Sequence, residues 1–114
     1  VDVFNEGKSI RYSERFAKDG INVNFVQPRS GALHIRTYER GVEAETMACG
    51  TGSAAAAIAA YESGLAPSSN NIIIHTRGGQ LQVAFEKKDG AYHHVTLTGP
   101  AEFVFKGFFQ YDGI

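Results

Sequence analysis

A chain of 114 residues, 43% hydrophobic, with a net charge of −1 at pH 7, is the size of one domain and can bury a modest core. Its lysines and arginines are scattered, which argues against a nucleic-acid or anionic-membrane partner, and no apolar run approaches the ~20 residues that cross a bilayer. One cysteine forms no internal disulfide and no CxxC pair marks a zinc or redox site, a usage that fits a reducing cytoplasm.

In chain order, "GKSIRYSERF" (7–16) reads as a short helix. "INVNFVQ" (Ile21–Gln27) and "ALHIRTYER" (Ala32–Arg40) alternate apolar and polar residues as half-buried strands do, with "PRSG" as the turn between them. The one strong helical signal runs from Gly52 to Ser63. Its alanines are good helix formers, Gly64 supplies the stop and Pro67 follows. Since nearly every face of that helix is small and apolar, it should be buried with sheet close around it.

"NIIIHTR" and "QLQVAFEKK" flank Gly78–Gly79 and read as a hairpin. Asp89–Gly90 turns the chain into "AYHHVTLTG", and "AEFVFKGFF" follows Gly99–Pro100 as the last strand. His34, His75, His93 and His94 lack helical ligand spacing and read as surface or cross-strand residues, so no metal is expected. The fold class is therefore α+β, a curved and mostly antiparallel sheet wrapped around one central helix. The chain begins at Val1 rather than methionine, which points to processing or to a piece of a longer protein.

The lone thiol, Cys49, stands where that helix begins, in "ACGTGSAAAAIAA". Buried free cysteine commonly acts as a small hydrophobe, and packing is one reading of it. A second comes from "GTGSAA", which fits G-x-G-x-x-G/A, but that fingerprint needs a hydrophobic strand just before it and here "ERGVEAETMAC" precedes. A third follows from position. Free N–H groups and the macrodipole at a helix start favour an anion, a thiolate included, and Gly50, Thr51 and Gly52 allow a carboxylate or phosphate close to the backbone. Upstream, Glu39 could accept from an ammonium and Arg40 could fork onto a carboxylate, with Asn22 adding a neutral hydrogen bond. The set describes a pocket for a free amino acid.

"YERGVEAETMACGTGS" resembles the signature of the diaminopimelate epimerases. "GINVNFVQ", "RGGQLQV", "TGPAEFVFKG" and "NEGKSIRYSERF" resemble further segments of that family, in order, over nearly the whole chain. The resemblance implies a cofactor-free amino-acid epimerase, working without pyridoxal phosphate, that interconverts LL- and meso-diaminopimelate for lysine and peptidoglycan precursor synthesis. In that family two cysteines flank the substrate α-carbon, one taking a proton as thiolate and the other returning one as thiol. Cys49 matches the second. Gly50 and Thr51 match the backbone groups that hold the reacting carboxylate, and Asn22, Glu39 and Arg40 match residues that bind the substrate's distal amino and carboxylate groups.

The family fold has two similar halves around a cleft that should close on substrate. This chain carries no second cysteine and no "CGNG"-like segment. It is expected to be the C-terminal half, a single domain over 1–114, whose partners are the diaminopimelate substrate, the missing N-terminal half and, at full length, a second copy in a homodimer. Alone it is expected to be inactive. A half of a proline racemase-type enzyme and a non-catalytic amino-acid or anion-binding module are the alternatives.

Overall fold

The computed structural model describes residues 1–66, 68 and 70–113; Pro67, read above as following the helix stop, lies outside the described residues. Two helices and six strands follow in the order α1 (Val3–Arg11), β1 (Val23–Arg29), β2 (Ala32–Glu39), β3 (Ala44–Thr46), α2 (Gly50–Glu62), β4 (Ile72–Thr76), β5 (Gly79–Lys88) and β6 (Ala91–Thr98). They form one open sheet in the order β1-β2-β4-β5-β6, with β3 also on β2. The α+β expectation of a mostly antiparallel sheet around a helix holds. All pairings are antiparallel except β2 with β4, which run parallel over Leu33↔Ile74 and His34↔His75.

The alternation read in β2 sorts its side chains. Leu33 and Ile35 join Ile72, Ile74, Val83 and Phe85 in a core closed by Ala56, Ala57 and Ala60 of α2. Alanine lets the helix axis come close, and α2 touches β1, β2, β4, β5 and β6. It ends in a Schellman motif, with Leu65 N–H donating to Ala60 O at 2.8 Å and Gly64 N–H to Tyr61 O at 3.1 Å. On the opposite sheet face Tyr38 packs with Val3 and Val23 under α1. Gly7 makes that contact possible, since a Cβ there would lie 2.4 Å from Tyr38 Cβ.

Several expectations are corrected. The first helix lies at Val3–Arg11, earlier than 7–16, because Asp2 caps it by accepting from Asn5 N–H. Pro28, read as part of a turn, sits inside β1 opposite Leu33, where an edge strand tolerates its missing donor. The glycine hairpin turns one residue earlier, at Arg77–Gly78, so that Gly79 pairs with Thr76. The helix α2 starts at Gly50, two residues before the predicted Gly52.

The last correction is the largest. No strand forms over 99–113. "AEFVFKGFF" leaves the sheet after Gly99–Pro100 and finds no ladder to join, leaving Phe103, Phe105, Phe108 and Phe109 between 82% and 93% exposed.

Candidate functional site at the start of the central helix

The chain enters α2 from β3 through an extended residue, Cys49 (φ −131°, ψ 112°), which serves as the N-cap. Its sulfur does what an oxygen does at an ordinary cap, accepting from Gly52 N–H at 3.4 Å. Asn22 Nδ2 donates to the same sulfur at 3.7 Å, and Thr51 Oγ1 lies 3.6 Å away. The cysteine is buried, with 8% of its surface exposed. Helix geometry leaves the N–H groups of Gly50 and Thr51 without intrahelical partners, while Ser53 N–H is already bonded to Cys49 O at 2.8 Å. No acidic residue occupies the first turn, so the positive end of the helix is uncompensated.

Asn22 joins two of the predicted groups. While Nδ2 donates to the Cys49 sulfur, its Oδ1 accepts from the Arg40 backbone N–H at 2.9 Å. The Arg40 guanidinium is exposed and donates through Nη1 to Asp19 O at 2.8 Å. An open cavity of about 390 Å³ is lined by Asn22, Asn24, Arg40, Thr51 and Gly52, with Gly20 at its rim. Of the six predicted residues, Asn22, Arg40 and Thr51 therefore share one cavity, and Cys49 borders it through Asn22.

The other two stand apart from that cavity. Glu39, at the end of β2, accepts from Thr46 Oγ1 at 2.8 Å. Gly50 lies against Leu97 of β6, whose Cδ2 would be 2.9 Å from a Cβ placed there.

Two residues not predicted help shape the site. Asn24 and Thr37 face each other across β1 and β2, and Thr37 Oγ1 donates to Asn24 Oδ1 at 2.7 Å. That amide presses on the helix start, where a Cβ at Gly52 would come within 2.5 Å of Asn24 Oδ1. The available signal was two asparagines spaced i, i+2, hence on one strand face. Nearby, Ser53 Oγ is buried with no hydrogen-bond partner among the described residues.

The parallel pairing of β2 and β4 does place a helix between two parallel strands. The G-x-G segment nevertheless follows β3 rather than β2, with Gly52 facing Asn24 and Gly50 facing Leu97. A strand-to-glycine-turn junction of the dinucleotide type is absent from this helix start.

The family model for diaminopimelate epimerase matches residues 1–104. The chain is similar to diaminopimelate epimerases from Flavobacterium psychrophilum (50% identical, covering 92% of this chain and 41% of that protein), from a Hydrogenobaculum species (48%, covering 98% and 39%) and from Methanocella arvoryzae (45%, covering 98% and 38%). It thus spans about two fifths of the length of the curated relatives it matches. A thiol-capped helix set in such a sheet, together with this likeness over nearly all its residues, makes the chain a member of the diaminopimelate epimerase family.

Proposed function

We propose that the chain is the C-terminal half of a pyridoxal-phosphate-independent epimerase interconverting LL- and meso-diaminopimelate, with Cys49 as one of two proton carriers. A second cysteine, on the half of the protein that this sequence does not include, faces the other side of the α-carbon. One sulfur, as thiolate, takes the α-proton; the other, as thiol, delivers a proton to the opposite face. Nothing is oxidised and no proton is lost, and the two sulfurs exchange protonation states each turnover.

The observation that carries this reading is the Cys49 cap. Its sulfur already accepts from Gly52 N–H and the Asn22 amide, which holds it at the helix start beside the unpaired N–H groups. The unpaired N–H groups of Gly50 and Thr51 suit the substrate carboxylate, where charge develops as the α-proton leaves. Arg40 and Asn22 then bind the distal amino-acid group. Glu39 would join them by turning from Thr46, and its ordinary role as a carboxylate makes it the partner for the distal ammonium.

Two further observations support the half-chain reading. The chain is about two fifths the length of its relatives, and the tail beyond Thr98 exposes a row of phenylalanines that the other half of the protein would cover.

The test is deuterium exchange. The full-length parent is incubated with LL-diaminopimelate in D2O, and NMR follows deuterium entering the α-positions. We expect exchange and epimerisation in the parent, loss of epimerisation in Cys49→Ser, and no turnover by the isolated 114-residue chain. A folded, reduced parent that exchanges no α-proton would overturn the assignment, and sustained turnover by the isolated chain would overturn the half-site.

A further inference from the structure

A second cavity, of about 580 Å³, opens on the sheet face away from α2, and a small ligand occupies volumes of that order. Its wall is built from a motif that occurs twice. His34-Ile35-Arg36 on β2 and His75-Thr76-Arg77 at the end of β4 both read His-x-Arg, and the parallel register sets His34 beside His75. The two imidazoles stack with ring centroids 4.7 Å apart and planes tilted by 28°.

One step further along, both arginines reach a single carboxylate. Arg36 binds Glu45 with both prongs of its fork, at 2.7 and 2.8 Å, and Arg77 Nη1 lies 3.1 Å from Glu45 Oε2. Phe25 and Gln27 on β1 complete the wall.

We propose that this double His-x-Arg face is a binding site for a small phosphoryl anion, separate from the Cys49 site. The charges decide between an anion and a metal. Two neighbouring imidazoles would suit a transition metal, but the surrounding charges oppose a cation. Arg36 and Arg77 share one carboxylate, and Arg29 on β1 bears on His34 as well. Glu45 is occupied by the two guanidiniums, and Asp2 acts on Arg36 from outside the cavity. No cluster of three metal-ligating side chains exists among the described residues.

What remains is one net positive charge over Arg36, Arg77 and Glu45, with the Arg36 fork spent on Glu45 and on Val1 O, the Arg77 fork, of which Nη1 meets Glu45, and two imidazoles with acceptor nitrogens. Arginine forks match phosphoryl oxygens geometrically, and Phe25 offers an apolar surface to an organic ester. Burial, the neighbouring His75 and Arg29 all hold the His34 pKa below its ordinary value. An anion seated against the edges of the stacked rings offsets that repulsion, so binding favours a proton on His34 and tightens as pH falls through the histidine range.

The experiment is a pH titration of the full-length parent, reading the imidazole nitrogens by long-range proton–nitrogen NMR. Inorganic phosphate is compared with chloride at equal ionic strength. The expected result is a saturable rise of the His34 midpoint by about half a pH unit or more. Arg77→Gln keeps the two-pronged Arg36–Glu45 pair and gives up one half-exposed ion pair, so it should weaken phosphate binding by roughly three- to tenfold while lowering the melting temperature only slightly.

His34→Gln, followed by calorimetry, should lose the pH dependence of phosphate binding. Phenyl phosphate binding more tightly than phosphate would identify an organic ester as the ligand, and equal binding would identify free phosphate. Absence of a phosphate-dependent shift at His34 overturns the proposal, as does an undiminished shift in Arg77→Gln. Stoichiometric zinc perturbing both imidazoles where phosphate does not would replace it with a metal site.

Discussion

At the scale of single residues the site depends on how closely β1 approaches the start of α2. Gly52 has room for hydrogen only, because Asn24 Oδ1 would stand 2.5 Å from a Cβ and its Cγ and Nδ2 3.2 Å away. The amide cannot give way freely, since it holds the Thr37 hydroxyl at 2.7 Å and Thr37 is buried in the sheet. Gly52→Ala should therefore destabilise the protein by about 1–3 kcal/mol, the usual range for overpacking, as measured by urea denaturation of the full-length parent. It should also slow exchange, because Gly52 N–H is a donor to the Cys49 sulfur. Thr37→Val releases Asn24 to move, so the two changes together should cost less than their sum. Strict additivity would show that Asn24 does not transmit the clash.

At the scale of elements, β2 is held on both edges, by β1 on one side and by β3 and β4 in succession on the other. The short β3 is fastened by Arg36 to Glu45 and by Arg77 across to the β4–β5 turn. The Arg36 hydrogen bond, with the Arg36 and Arg77 charges, holds the Glu45 pKa below its ordinary value of 4.5. A depressed carboxylate contributes its stability in full above the unfolded value and loses it as pH falls through the folded one. Melting temperature should thus decline below about pH 4.5, and Glu45→Gln should flatten that limb while lowering stability near neutrality. An acid limb unchanged in Glu45→Gln would assign the loss to other carboxylates, such as Glu43, whose pKa is lowered by the Tyr12 hydroxyl and Arg11.

Much of this architecture is legible in the chain itself. Local patterns located every strand of the sheet except β3, because a buried face imposes period 2 on the side chains. Gly64 and the alanines located α2 for similar reasons. Three features depend on distant partners and could not be read locally. The parallel β2–β4 contact joins residues some forty positions apart, the tail has strand propensity without a ladder, and β3 is only three residues long. In the site, Cys49, Asn22, Arg40 and Thr51 were legible from motif and resemblance. Thr37 was legible only as a member of the Leu33 and Ile35 face, and Asn24 was not legible, since it is the pairing of Asn24 with Thr37 that turns its amide toward the helix start.

At the scale of the whole molecule the sheet ends where the apolar sequence does not. Phe103, Val104, Phe105, Phe108, Phe109 and Tyr111 are 68% to 93% exposed, a dense cluster of exposed large apolar side chains of the kind that marks an interaction surface. With Glu102 and Lys106 the only charges between Thr98 and Tyr111, the run also has the composition of a strand in want of a partner. If the other half of the enzyme supplies that partner, the isolated chain should bind an apolar dye and self-associate on sizing columns. Ending the chain after Thr98 should abolish both without lowering the melting temperature, because the core residues all precede that point. In the full-length parent, charged substitutions at Phe103 and Phe105 should weaken the union of the halves and reduce epimerisation, though neither residue borders the Cys49 site. A monomeric isolated chain whose dye binding is unaffected by the truncation would show that the tail covers itself, and the phenylalanines would then lose their claim on the missing half.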